Sequence, residues 1–261
     1  MIYLDGRPQK PPDFDDKVRD ARKKIQDIIN AGGRPASKQF ESVWTEFKPI
    51  FSRKQYDGKC AYCETRFRAA YPGDIEHFKP KAEVVTYDSR GNRNEDEPPD
   101  RTISSRTIGY WDQAYNWDNW LLSCYLCNKW KGSQFPLING TNNPLLLDPF
   151  TEEPAGHLEF DETGGISEVT DRGQAMIDVC GLDRKYLNQE RLRRAAEVLK
   201  VIDAMATASA REKRKAFIKS VARLVEQCRP DENYAALARS IAFKKTGKSF
   251  TEWEAWLAAA K

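Results

Sequence analysis

Apolar positions set the first boundaries along the chain. Between Asp13 and Asn30, Val18, Ala21, Ile25, Ile28 and Ile29 recur at helical spacing, so the pattern predicts a helix, stopped by Ala31-Gly32-Gly33. The residues before it, ending in Lys10-Pro11-Pro12, read as an extended arm. Ser37 stands where it can cap a second helix carrying Phe40, Val43, Trp44, Phe47 and Phe51 on one face. That period ends at Asp57-Gly58. A turn at Tyr71-Pro72-Gly73 then precedes a short strand-like segment, Asp74-Ile75-Glu76-His77-Phe78. Residues 82–109 are polar, interrupted by Gly91-Asn92-Arg93-Asn94 and Pro98-Pro99, and read as an insertion loop.

From Tyr110 to Trp120 the chain is at its most aromatic. Such a stretch either stacks on bases or wraps a small core, and core is the plainer expectation. Loops and short strands follow to about Gly165. Beyond Asp171 helices are expected at 171–180, 183–205, 209–228, 231–244 and 250–260. The pattern predicts an α-rich α+β protein in three parts: an arm and helices over 1–56, a central core over 57–165 with the polar insertion 82–109, and a helical region over 166–261.

Composition narrows the classes. Charged residues make up 31% and mean hydropathy is −0.72, which excludes a membrane-embedded chain. No apolar run approaches the roughly 18 residues of a membrane span. The first residues lack the basic-then-apolar order of a signal peptide, so the cytoplasm is the expected compartment. Net charge is only +3, too little to imply a polyanionic partner. Its distribution says more: residues 181–227 hold 12 Lys/Arg against 6 Asp/Glu. That excess could follow a phosphate backbone, although a solvated helix face is the plainer account.

The six cysteines change the picture further. In a chain expected in a reducing compartment they are not a disulfide framework. Cys180 and Cys228 stand alone in apolar helical contexts, where a thiol behaves as a small hydrophobe. The other four form two C-x-x-C pairs, Cys60/Cys63 and Cys124/Cys127. Each pair points two sulfurs into one tight turn, and two pairs complete a tetrahedral S₄ site suited to structural Zn²⁺. A single redox C-x-x-C would not come doubled.

Between the pairs lie Glu76 and His77, one of only two histidines. Asn119 comes five residues before the second pair, Asn128 immediately after it, and Lys131 three further on. Taken in order, Cys60-x-x-Cys63, Glu76-His77-x-x-Pro80, Asn119 and Cys124-x-x-Cys127-Asn128-x-x-Lys131 resemble the HNH nucleases, over about residues 57–135. The resemblance implies a zinc-stabilised ββα-metal core flanked by helices. It also implies hydrolysis of DNA phosphodiester bonds, with His77 as general base and Asn119 holding it through the hairpin backbone. Glu76 and Asn128 would bind Mg²⁺ or Mn²⁺, and Lys131 is a candidate phosphate contact. These residue types suit the chemistry. A neutral imidazole takes a proton from water near pH 7, and a hard cation prefers a carboxylate and an amide oxygen. Strand alternation, however, puts Asp74 and Glu76 on one face and His77 on the other, so Asp74 is the alternative or auxiliary ligand.

A longer set of segments narrows the resemblance. Cys60-Ala61-Tyr62-Cys63-Glu64, the run Asp74 to Lys81, Trp117-Asp118-Asn119, Leu146-Leu147-Asp148-Pro149 with His157-Leu158, and Gly181-Leu182-Asp183-Arg184 are similar to the PtuB family of HNH subunits from Septu and retron-associated anti-phage systems. That implies a hetero-oligomeric complex with an ABC-type ATPase, PtuA-like, on a separate chain, because this sequence carries no Walker motif. His157 lacks comparable company and reads as a surface or turn histidine. The competing function is a non-catalytic zinc module that binds nucleic acid or protein. A thiol oxidoreductase fits less well.

Overall fold

The computed structural model of the protein describes residues 1–87, 102–210 and 213–260. Helix α1, Phe14–Asn30, buries Phe14, Val18, Ala21 and Ile25, the stripe its spacing predicts. It ends where Gly32 takes φ +77° and the Gly33 amide donates to Ile28 O. The second predicted helix is broken. Ser37–Gln39 and Val43–Phe47 are 3₁₀ turns, and only Lys48–Lys54 is helical, as α2. Pro49 has no N–H to give to a helix running through from Val43, but it is tolerated in the first turn of a new one. Trp44, Phe47 and Phe51 are buried nevertheless, because the turns keep them on one side.

The centre of the molecule is a ββα unit. Strand β1, Asp74–His77, pairs antiparallel with β4, Trp120–Ser123, in a register that sets Glu76 opposite Leu121 and His77 opposite Trp120. β4 leads through Cys124 directly into α3, Tyr125–Lys131. Trp120, Leu121 and Leu122 are fully buried. The far edge of β4 is completed by a side chain. Buried Gln55 donates to Leu122 O (2.7 Å) and accepts from Leu122 N (2.7 Å), so the end of α2 acts as a surrogate strand.

The two ends of the polar 82–109 segment are ordered rather than looped. β2, Glu83–Tyr87, pairs antiparallel with β3, Ile103–Ile108, and residues 88–101 lie outside the described residues. Every β3 residue is exposed. β3 has no buried face and β2 buries only Val85 outright, so there is no apolar alternation to read, although β-branched residues recur in both strands. Gly109 closes the ribbon: a Cβ there would stand 2.6 Å from the backbone of Ala82 and Glu83 and 2.7 Å from Pro80 O.

A third hairpin, β5 (Leu158–Phe160) with β6 (Ile166–Glu168), precedes the helices α4 (Asp171–Cys180), α5 (Lys185–Ala210), α6 (Arg214–Gln227), α7 (Ala235–Thr246) and α8 (Phe250–Ala260). The protein is therefore α-rich α+β, as predicted. Thr170 Oγ1 caps α4 by accepting from Gly173 N, and left-handed Gly181 ends it. The N-terminal arm is extended, but it is laid into the core. Leu4 N donates to Pro149 O (2.8 Å), Pro8 O accepts from the Trp117 indole (2.8 Å), and Arg7 reaches Trp120 O and the Asp148 carboxylate. The aromatic stretch serves packing: Tyr115, Trp117 and Trp120 are buried among Phe14, Trp44, Phe47 and Phe51. Among the described residues no helix is long and apolar enough to cross a membrane.

Candidate functional site

Four cysteines converge where the ββα unit meets the C-terminal helices. The Sγ atoms of Cys60, Cys63, Cys124 and Cys127 all lie within 4.8 Å of one another. A tetrahedral ion with Zn–S bonds of about 2.3 Å would separate its sulfurs by about 3.8 Å. Cys63 and Cys124 stand 3.8 Å apart. The cluster can therefore hold a metal such as zinc. Hydrogen-bond donors reach its sulfurs. The Cys124 amide donates to Cys60 Sγ (3.3 Å), and buried Arg184 points its guanidinium at Cys127 Sγ (3.6 and 3.7 Å). Hydrogen bonds from the other three thiols hold Cys63 well below the usual thiol range, while burial pushes Cys60 up and the hydrogen bond with Cys127 pushes Cys124 up, so without a metal the negative charge settles on Cys63.

The first cysteine pair is gripped from the far end of the chain. Glu64, left-handed at φ +66°, pairs with Lys59 (2.9 Å) and the Met1 amine (2.8 Å) and accepts from Ala236 N. Burial raises the Glu64 carboxyl, but Lys59 and the amine pull it down to about 2. Lys59 also donates to Pro230 O (2.7 Å), and Thr65 meets Tyr234 at 3.1 Å.

β1 distributes the remaining candidates by alternation. Asp74 and Glu76 face α3. There Asn128 Nδ2 donates to Asp74 Oδ2 (3.1 Å), and Lys131 Nζ stands 2.5 Å from Glu76 Oε1. The structure thus joins Asn128 to Asp74, the alternative ligand, rather than to Glu76. Asp74 and Asn128 are both part-exposed, whereas Glu76 is 5% exposed and its carboxyl is raised by burial despite Lys131. Lys131 corrects the sequence reading. At 0% exposure, with its ammonium on Glu76 and on His77 O (3.0 Å), it is an internal counter-charge and offers nothing to a phosphate.

His77 faces the other way. Its ring packs edge-on against Trp44 (4.6 Å between centroids, 87°) and lies 6.2 Å from Trp120. Nε2 is 3.0 Å from Ala114 O. A carbonyl only accepts, so Nε2 carries the proton and Nδ1 keeps the lone pair. Burial, then the charge of Lys81, holds the imidazole well below its ordinary pKa, so it is neutral at pH 7. Asn119, 3% exposed, ties the surrounding backbone together: its amide accepts from Lys79 N (2.7 Å) and donates to Lys79 O (3.0 Å) and Gln113 O (3.0 Å). It therefore braces both the residue two beyond His77 and the one before Ala114.

Three residues at the site had no assigned role in the sequence. Trp44 looked like one more apolar position of a helix. Lys81 and Arg184 sat inside recognised segments, four residues beyond His77 and at the end of Gly181-Leu182-Asp183-Arg184, and only packing shows what they touch. The unassigned titratable groups behave as expected. Cys180 and Cys228 are buried with thiols pushed up by burial, Cys228 to about 12, and half-buried His157 meets Thr170 Oγ1 at 2.7 Å in a turn.

Two known proteins are similar to this chain. Septu protein PtuB of Bacillus mycoides (strain KBAB4) is 31% identical over 186 residues, 64% of this chain and 59% of that protein. Septu protein PtuA of the same strain is 26% identical over 159 residues, 54% of this chain and 20% of that protein. The chain therefore spans about three-fifths of one relative and a fifth of the other. No family model matches it, and no solved structure does. On identity extending over most of its own length, this chain is a relative of Septu protein PtuB.

Proposed function

We propose that the chain is a metal-dependent HNH endonuclease that hydrolyses DNA phosphodiester bonds as the nuclease component of a Septu-type anti-phage system. The observation that carries this is the state of His77: Nε2–H held on Ala114 O, the ring kept neutral, and the Nδ1 lone pair left free to take a proton, on a strand whose partner β4 leads into the cysteine-bearing α3. In this role His77 takes a proton from water as the water oxygen bonds to phosphorus and the bond to the 3′-oxygen breaks. Asn119 keeps the imidazole aligned by bracing the backbone at Lys79 and Gln113.

Zn²⁺ at the four cysteines is structural in this reading. It pins the start of α3 to the Cys60 turn and contributes folding energy. Asp74 and Asn128 are the groups that would hold Mg²⁺ or Mn²⁺, since both offer oxygen donors at a part-exposed position. Glu76, further along the same face, joins them only if it parts from Lys131. Such a cation, when bound, neutralises a nonbridging phosphate oxygen and the leaving 3′-oxygen. Likeness to proteins named PtuB and PtuA supports a PtuA-like ATPase subunit as the partner.

The test is plasmid cleavage with Mg²⁺ by the zinc-loaded protein and by His77→Ala, with zinc counted in both and the ATPase subunit co-expressed. Cutting lost in the variant at unchanged zinc is the expected result. One observation favours a second reading, a non-catalytic zinc module: at 6% exposure between two tryptophans, His77 is also placed as a core residue. That reading predicts no cutting by either protein and loss of stability in His77→Ala.

A further inference from the structure

With Lys131 buried, the site needs another cation to receive phosphate, and one is poised beside His77. Lys81 is part-exposed, with its ammonium 4.8 Å from the centroid of the Trp44 ring, the same indole that packs against His77. Its backbone is clamped on both sides: Tyr110 N donates to Pro80 O (2.8 Å) and Gly109 N to Ala82 O (3.0 Å). The two buried lysines have carboxylates on them, Lys131 with Glu76 at 2.5 Å and Lys59 with Glu64 at 2.9 Å, among the described residues. Lys81 makes no ion pair among the described residues. Its charge is felt by both His77 and Glu76, which puts it near the two groups that strand alternation separates.

A half-buried ammonium with no carboxylate in direct contact among the described residues is costly, burial outweighing the pull of Glu76, and an anion arriving beside it lowers that cost. Lysine meets phosphate as a point charge, and here the Trp44 face restricts where that charge can go. We propose that Lys81 is the phosphate-binding residue of the site, receiving a nonbridging oxygen of the nucleic-acid phosphodiester next to His77. This rests on the nuclease reading.

The experiment uses the full zinc-loaded chain and a labelled 20-bp DNA duplex without added Mg²⁺, so that the strands stay intact, with affinity measured across a salt series. Losing one phosphate contact should lower the slope of log K against log salt by about 0.9 in Lys81→Met, and Lys81→Arg should restore it. With Mg²⁺ added, kcat/KM of Lys81→Met should fall roughly 100-fold. An unchanged slope in a folded, zinc-containing Lys81→Met overturns the proposal, as does a wild type that fails to bind the duplex. Should Lys81→Met lose its zinc or its cooperative melt, Lys81→Gln is read in its place by the same criterion. His77→Ala separates the two ideas. It should keep the wild-type slope while losing cleavage, and cleavage that persists in it sinks the nuclease reading without touching the slope result.

Discussion

Burial of a neutral His77 makes a prediction that needs no substrate. In the unfolded chain this imidazole binds a proton near pH 6.5. In the folded protein burial and Lys81 hold its pKa well below that. Between the two values only the unfolded state is protonated, so stability rises with pH and is lost as pH falls below 6.5. At pH 5.5 protonation of the unfolded imidazole favours unfolding by about 1.4 kcal/mol, and each further unit adds about as much until the folded value is reached. The assay is urea unfolding of zinc-loaded wild type and His77→Gln from pH 7.5 to 5.5. Glutamine keeps a donor for Ala114 O but does not titrate. Protonation of the cysteine thiolates contributes to both proteins and cancels in the difference. Wild type should lose about 1.4 kcal/mol relative to the variant over this range. Parallel curves would mean that His77 protonates freely in the folded state, and the tautomer and neutrality assigned to it would both be wrong.

Three other substitutions test the scaffold. Asn119→Ala removes three part-buried hydrogen bonds and leaves the Lys79 and Gln113 backbone groups without the amide; a loss of about 2–3 kcal/mol is expected in urea unfolding, and a loss under 1 kcal/mol would show that water replaces the amide. Arg184→Met withdraws the guanidinium from Cys127 Sγ and should weaken zinc retention by roughly 10–100-fold, read by competition with a chromophoric chelator; wild-type retention would reduce Arg184 to a cap on the carbonyls of Cys180 and Gly181. Gly181→Ala places a methyl 2.4 Å from the fully buried Trp130 ring at φ +57°. It should cost about 2–4 kcal/mol, measured by the same unfolding assay with zinc bound.

Legibility in the sequence followed the source of each signal. α1 and α4 could be read to within a residue, because each has a one-sided apolar stripe or a Thr cap and a glycine stop. The cysteine cluster could be read because metal ligation needs particular side chains at particular spacing. The break at Pro49 was written in the chain but outvoted by the period of Phe40, Trp44, Phe47 and Phe51, which survives in the turns. β3 stayed hidden because a strand exposed at every residue has no reason to alternate, and β2 because it buries only Val85 outright. Long-range contacts left least trace of all. Nothing in the local sequence of Lys131 says that Glu76 waits opposite it, and Gln55 completing the edge of β4 is visible only once α2 is packed.

Which carboxylate accompanies Asn128 shows why such contacts decide function. By type and order, Glu76 beside His77 was the natural ligand. Alternation along β1 permits either Asp74 or Glu76 to face α3, so the choice passes to the helix, where Asn128 lies toward the strand's start and Lys131 one turn further on. Asn128 therefore meets Asp74 at the part-exposed end, and Lys131 takes Glu76 inside. A hydrolytic site must then gather groups from two faces of one strand, oxygen donors toward α3 and the imidazole toward Trp44. A cation sensed by both Glu76 and His77 is what such a divided site requires, and Lys81 is placed to be it. If so, Asp74→Asn should abolish Mg²⁺-dependent cleavage while leaving the Lys81-dependent salt slope of DNA binding intact. Cleavage surviving Asp74→Asn but not Glu76→Gln, with zinc and folding retained in both, would return the ligand role to Glu76 and require the Lys131 pair to open in the active complex.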